Sequence, residues 1–509
     1  MLAERYEELT TRIMQAPGAA GRKSLAGVDH LLLVLPEKPP AAVWKALPRG
    51  SRLQALAKRA APGAVPALTT HLDNDRQTAV SVGLLPRKAS PFEQLEFARK
   101  LVAATAAGKR VSLGLRIEGF DERQATLLAE RFAAAVHAVA FSLADFKTRK
   151  RPLRIRALRI LGLGAKLDIA RVQAEAAGTN LARWLTAMPP NKLHARAYVE
   201  LLRELAGREG WQFTRYGVRE LEKMGAGAFL AVAQGNPDDS AAIVRLRYRP
   251  SRSGTPALCL VGKGIIFDTG GTNLKPFAAM SDMHIDMGGS AVAAGALLAL
   301  SRIKAPLAVD CWLAITENRI GPTAYKSQDV VTAVNGKTIQ VVHTDAEGRM
   351  ALADTLVLAC RDRPRLVMDY ATLTGACINA VTRRYSGVFT NRPDWHPVLK
   401  RAGYASGERV WPFPFGKEFL HELESETADL KQCTPEAGGD HILAATFLNE
   451  FVSEDIPWVH IDLSAMKHKG GLAHVPTDIT GFGVRFTTAL LLDQQPVRET
   501  VGIDTEAGS

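Results

Sequence analysis

Cysteine is sparse: five residues in 509, at Cys259, Cys311, Cys360, Cys377 and Cys433, with no Cys-x-x-Cys pair. An odd number spread so thinly excludes a disulfide framework and a thiolate zinc site, and fits a reducing compartment. No stretch approaches the ~20 consecutive apolar residues of a membrane span, so no membrane partner is expected. The first 18 residues carry Glu4, Glu7 and Glu8 and lack the apolar run of a leader, so a cytoplasmic protein is the expectation. Aromatic residues make up only 6%, too few to interleave with the basic ones as nucleic-acid platforms do. What is present is ordinary for a folded chain: 47% hydrophobic and 23% charged residues. At roughly 100 to 200 residues per domain, two to four domains are expected.

The net charge of +12 raises the question of nucleic acid. Its densest cluster is Lys147, Arg149, Lys150, Arg151, Arg154, Arg156 and Arg159. From Pro152 onward the charges alternate with Leu153, Ile155, Ala157 and Leu158, the period of a half-exposed strand, so a solvated strand face is favoured over a binding patch.

Two regimes follow one another along the chain. Residues 1–161 are rich in Ala, Arg and Leu, with apolar runs at 31–35 and 78–85 and a helical stretch at 92–107, and read as a small N-terminal α/β domain. Residues 162–190 read as a linker carrying one long helix at 165–188, ended by Pro189-Pro190. Residues 191–509 then repeat strand, loop and helix: strands at 257–261, 308–315, 338–342 and 365–370, helices at 288–300 and 351–360. That alternation predicts an α/β fold of two domains, the larger C-terminal one built on a mixed, largely parallel sheet with its functional site in loops at strand ends.

Familiar motifs fail in turn. Gly162-Leu163-Gly164 has Leu167 where a dinucleotide fingerprint needs glycine, and Asn335-Gly336-Lys337-Thr338 has Val331 at the first glycine of a P-loop. His421-Glu422 has Ser425 in place of a zincin's second histidine, and Gly288-Gly289-Ser290 has Val292 where a nucleophile elbow ends in glycine. What remains is carboxylates and lysines concentrated in two loops. The first holds Lys263, Asp268, Lys275, Met283 and Asp286; the second is His343-Thr344-Asp345-Ala346-Glu347-Gly348-Arg349, whose Asp345, Glu347 and Arg349 converge on one side if the loop is extended. Taken singly, an Asp after a strand is a turn former or N-cap and a Gly-rich loop is a tight turn. Taken together, four carboxylates sharing a cavity repel unless divalent cations lie between them, and oxygen ligation suits Mn, Mg or Zn.

These two loops, with Ala371-Thr372-Leu373-Thr374-Gly375-Ala376 and Asn180-Leu181-Ala182-Arg183, closely resemble the leucyl aminopeptidase family, over roughly residues 165–492. The resemblance implies a metallo-aminopeptidase with two divalent ions per subunit, Mn or Zn with Mg as an alternative. Lys263, Asp268, Asp286 and Glu347 would hold the tighter ion; Asp345, with bridging Asp268 and Glu347, would hold the exchangeable one. Lys275 falls on the catalytic lysine, and Arg349 on the arginine that holds a bicarbonate acting as general base. Met283, Thr372, Leu373, Gly375, Ser464 and Lys467 would line the pocket for the N-terminal side chain. Peptides with free N-termini are the implied substrates, and a homohexamer the implied assembly.

Departures from the family pattern flank the chemistry: His343 for Asn, Thr316 for Cys, and Lys326-Ser327-Gln328 for Arg-Pro-Gly. Ser464 and Lys467 stand where small apolar residues and methionine are typical, which implies either a broadened side-chain preference or a Lys467 that turns outward. The segment Thr480-Gly481-Phe482-Gly483-Val484-Arg485 is more similar to the peptidase B branch, which also suggests breadth. Two competing readings are a DNA-binding or scaffold protein, which would not require every catalytic position to be present, and a dinuclear phosphoesterase, which would not explain two lysines in the first loop.

Overall fold

The run Leu258–Asp268 shows no polar–apolar alternation; ten of its eleven residues are buried. A strand hidden on both faces belongs in the middle of a parallel sheet covered on each side. The computed structural model describes residues 11–16, 25–47, 49–61, 63–72, 74, 76–105, 111–148, 155–250, 256–434 and 438–503. In it this strand is interior to an eight-stranded sheet ordered Val410–Pro412, Ser386–Thr390, Trp458–Asp462, Leu366–Ala371, Leu258–Asp268, Val309–Asn318, Ala242–Tyr248, Gln212–Gly217. The third to sixth of these run parallel, and the last two pair antiparallel. The fold is the expected mixed α/β arrangement with a parallel centre.

Several boundaries differ from the sequence expectation for physical reasons. The strand expected at 257–261 continues through the first loop to Asp268. Its Gly262 is a close-approach glycine rather than a turn former: a Cβ there would lie 2.5 Å from Ser290 Cα, because the helix Gly288–Ile303 packs directly onto the strand. The strand expected at 338–342 shortens to Thr338–Gln340 and leaves the main sheet for a separate three-stranded one, between Val330–Thr332 and Leu430–Lys431. By length and composition Met283–Ile303 is apolar enough to cross a membrane, which the sequence reading did not anticipate; 89% of its apolar window is buried, the position of a core helix.

Chain contacts divide the described residues into two units, one of residues 11–176 with Lys469–Asp478 and one of Ala177–His468 with 479–503. The division falls inside the helix Ile169–Thr186. The first unit is a six-stranded sheet ordered Arg12–Ala16, Ile155–Leu161, Val111–Ile117, His30–Pro36, Ala79–Leu85, Leu68–His71, parallel except for the last pair. Its core gathers Leu32, Val34, Phe97, Leu101, Leu115 and Phe132. Lys469–Asp478 joins it through Arg99, which donates to the carbonyls of Gly470 (2.6 Å) and Val475 (3.3 Å). Of the basic cluster, Arg156 donates to Ser112 Oγ and Arg159 to the Ala26 carbonyl; residues 149–154 lie outside the described residues, as do Glu4, Glu7 and Glu8. All five cysteines are buried and free.

Candidate metal centre

The site assembles in the second unit. Lys263 sits within Leu258–Asp268 opposite Ala314, and its side chain is only 3% exposed. Its Nζ lies 2.8 Å from Asp286 Oδ2 and 2.8 Å from Glu347 Oε1, and donates to the Thr372 carbonyl at 3.0 Å. Glu347 is the first residue of the helix Glu347–Cys360, and Asp286 lies in the 3-10 turn Met283–Met287. Gly348 makes room for this lysine: a Cβ there would lie 2.6 Å from Lys263 Cε. Gly348→Ala is therefore expected to displace Nζ and to lower kcat by about 10- to 10²-fold, as misplacements near 1 Å do. Wild-type kcat in that variant would show that the position of Lys263 is not critical.

Asp268 closes the same strand. Its Oδ1 accepts from Asn318 Nδ2 and from the Gly270 N–H, both at 2.8 Å, and its Oδ2 lies 2.8 Å from Lys275 Nζ. Lys275 also pairs with Asp345. One carboxylate oxygen from each of Asp268, Asp286 and Glu347 falls within 4.8 Å of the others, and Lys275 ties Asp345 to this triad. With all four carboxylates ionised, as metal ligation requires, two ammonium groups leave a surplus of two negative charges. Buried Glu347 Oε2 has no hydrogen-bond partner among the described residues. An unpartnered buried carboxylate oxygen is costly, and a cation ligated there satisfies it, so these residues fit divalent metal.

The electrostatics follow from crowding. Burial pushes Asp286 well above the usual carboxylate range, and Glu347 and Asp268 add to the rise against the pull of Lys263. Asp345 is pushed up to about 7, first by burial and then by Asp268. For Lys263, burial works against the ammonium, but Asp286, Glu347 and Asp268 outweigh it and its pKa is raised; Lys275 is raised in the same way, chiefly by Asp268.

The segment after Leu366–Ala371 forms the adjoining wall. Thr372 Oγ1 donates to Asp286 Oδ1 at 2.7 Å. Asp462 accepts from the Leu373 N–H at 3.1 Å and from Thr374 Oγ1 at 2.6 Å, which fixes the turn that presents Thr372 to both Lys263 and Asp286. Gly375 is exposed, and a Cβ there would meet nothing within 4 Å. Met283 is half-buried and Ser464 buried. Lys467 is half-buried and pairs with Asp282 at 2.5 Å.

The second loop is not extended. Ala346 and Glu347 open a helix, so Asp345, Glu347 and Arg349 do not converge by strand alternation. Asp345 and Glu347 instead meet the cluster through different lysines. Arg349 points to Asp440, its Nη2 donating to both carboxylate oxygens at 2.8 and 2.9 Å, and Nη1 to the Gln432 carbonyl at 3.2 Å. Sequence reasoning missed Asp440, Asp282, Asn318 and Asp462 as partners. Only Asn318 had a local signal, since it ends the strand beside Asp268 and pairs with it in register.

A buried oxygen triad with two lysines set into it, carried by a mixed α/β fold, makes this a candidate metal-dependent enzyme. Residues 180–488 match the family model described as the cytosol aminopeptidase family, catalytic domain, and the chain belongs to that family. It is 39% identical over 422 residues to a protein of Parasynechococcus marenigrum described as "Probable cytosol aminopeptidase", covering 81% of this chain and 85% of that one. Among solved structures it is similar to a mutant of tomato leucine aminopeptidase, with 26% identity, a TM-score of 0.83 and coverage of 96% of this chain and 97% of that one. It is also similar to the bottromycin maturation enzyme BotP in complex with Mn, with 29% identity, a TM-score of 0.78 and coverage of 93% and 100%.

Proposed function

We propose that this aminopeptidase releases the N-terminal residue of peptides using two divalent cations, one held by Lys263, Asp268, Asp286 and Glu347 and the other by Asp268, Asp345 and Glu347. The observation that carries this is the buried oxygen triad within 4.8 Å, with two lysines set into it. The manganese bound to the similar bottromycin maturation enzyme supports Mn as the ion to try first. Cations bound there supply Lewis acidity, polarising a carbonyl and acidifying water. Lys275 places its ammonium at the edge of the cluster, where it stabilises the oxyanion that develops on the scissile carbonyl. The Asp462-held turn at Thr372–Thr374 keeps the pocket wall in register with that carbonyl. Arg349 holds an anion beside Glu347.

The test is release of N-terminal residues from a short peptide panel with Mn, with a chelator, and with Nα-acetylated controls. Metal-dependent release from free N-termini alone is expected. Chelator-insensitive release, or hydrolysis of a phosphodiester in place of the peptides, would overturn the reading. A cytoplasmic homohexamer is the assembly that goes with it, which sedimentation velocity reads directly.

Side-chain preference is the finer part of the proposal. The Lys467 ammonium, hydrogen-bonded to Asp282, holds that carboxyl below its usual range, so Lys467 does not present an uncompensated charge to the pocket. Ser464 and this ion pair at the pocket's rim favour breadth over a strictly apolar pocket. Amides of Leu, Met, Arg, Asp and Glu are expected to give kcat/KM values within about 10²-fold of one another. Leucine dominance beyond that span would dispose of the idea.

A further inference from the structure

One face of the strand Trp458–Asp462 is ionisable where a sheet interior is ordinarily apolar. Strand alternation sets Trp458, His460 and Asp462 on that face, and in register they lie beside Val367, Asp369 and Ala371 of the parallel neighbour. Asp369, His460 and Asp462 are all buried. Asp369 is spent at both oxygens, Oδ1 on His460 Nδ1 and Oδ2 on Trp458 Nε1, each at 2.6 Å. An ionised carboxylate has no proton to give, so Nδ1 donates. The imidazole lies against two aromatic rings, its centroid 5.9 Å from that of Trp458 and 5.6 Å from that of Phe389. Aromatic faces and a carboxylate together favour a cation. His460 Nε2 has no hydrogen-bond partner among the described residues. Burial works against the imidazolium, but Asp369 outweighs it and the pKa of His460 is raised; Asp462 adds to the rise and Arg349 opposes it. Burial raises Asp462 in turn, and His460 is the largest influence holding it down.

We propose that His460 is a positioning residue of the metal centre: its imidazolium is the counter-charge of Asp462, through which it holds Asp286 and Lys263 in place. From Asp462 onward the path is hydrogen bonding. Asp462 accepts from the Leu373 N–H and from Thr374 Oγ1, which fixes the turn at the end of Leu366–Ala371. That turn presents Thr372, whose Oγ1 donates to Asp286 Oδ1 at 2.7 Å and whose carbonyl accepts from Lys263 Nζ at 3.0 Å. Hydrogen bonds to an ionised acceptor are roughly twice as strong as neutral ones, so an Asp462 deprived of its counter-charge grips the turn less firmly. Looser placement of Thr372 reaches both residues it touches. Partners behind the ligands of a metal commonly set its affinity in this way.

The proposal rests on the reading of the cluster as a metal centre, and the experiment tells the two apart. Mn binding is measured by titration calorimetry on the metal-free full chain, for wild type, His460→Gln, Asp462→Asn and the double variant, with melting temperatures beside it. His460→Gln can still donate an N–H to Asp369 but gives up the charge. Each single variant is expected to raise the Mn Kd by about 10- to 10²-fold. The double variant is expected to match Asp462→Asn alone, because a neutral residue 462 leaves the histidine no charge to balance. Asp369→Asn, which takes away the anion that holds the imidazolium, is expected to weaken Mn in the same way and replaces His460→Gln if that variant does not fold. A histidine that serves packing alone would lower the melting temperature and leave the Mn Kd at its wild-type value, which overturns the proposal. So does a double variant in which the two losses multiply. Unchanged affinity in the variants beside a wild type that binds Mn removes this proposal alone, whereas a wild type that binds no Mn removes the metal-centre reading and this proposal with it.

Discussion

Replacing Lys275 with alanine is expected to lower kcat by about 10²- to 10³-fold, equivalent to ~3 to 4 kcal/mol, while metal content stays at the wild-type level. The ammonium touches Asp268 Oδ2 at 2.8 Å and pairs with Asp345, yet it is not among the proposed ligands. Its removal raises the cluster's negative surplus from two charges to three, which strengthens attraction for cations. On the proposed role, the variant loses a positive charge at the place where the scissile carbonyl oxygen would gain a negative one. Lys275→Met, closer in volume, should behave like the alanine variant, which separates charge from packing. Metal analysis beside steady-state kinetics decides the matter: parallel loss of metal and rate would mean that the lysine organises the ligands.

The acids and lysines of this site were legible because each lies in a short segment with its neighbours. Lys263, Asp268, Lys275 and Asp286 fall within one stretch of chain, and the spacing of Asp345 and Glu347 held although the loop was not extended. Their conformation was less legible. Gly262-Lys263-Gly264 has the composition of a turn, and only the close approach of the helix Gly288–Ile303 makes it a strand. That is tertiary packing, which local periodicity does not encode. Partners far away in sequence were harder still. Asp440 is 91 residues from Arg349, and Asp282 is 185 from Lys467. An isolated acid at a helix start or in a turn carries no mark of the cation it will meet. Assignment of Lys469–Asp478 to the N-terminal unit has the same origin, since it depends on Arg99 reaching the carbonyls of Gly470 and Val475.

Glu347→Ala should separate the two sources of positive charge in the cluster. With four carboxylates and two lysines, the metal-free protein already carries repulsion, and deleting Glu347 removes part of it together with the unpartnered Oε2. Lys263 keeps Asp286 at 2.8 Å. The metal-free melting temperature is therefore expected to change little, or to rise. In wild type, Mn at 100 times its Kd stabilises the folded state by about 2.7 kcal/mol. That increment should vanish in the variant, because Glu347 is assigned to both ions. Activity should fall on the order of 10³-fold with it, since the Lewis-acid contribution amounts to several kcal/mol. Glu347→Gln, which keeps the volume and gives up the charge, controls for cavity formation. The decisive comparison is the melting shift with Mn and with chelator, read beside metal content. A variant that retains two ions and the wild-type shift would remove Glu347 from the bridge, and with it the geometry that makes Asp268, Asp286 and Asp345 tolerable as neighbours.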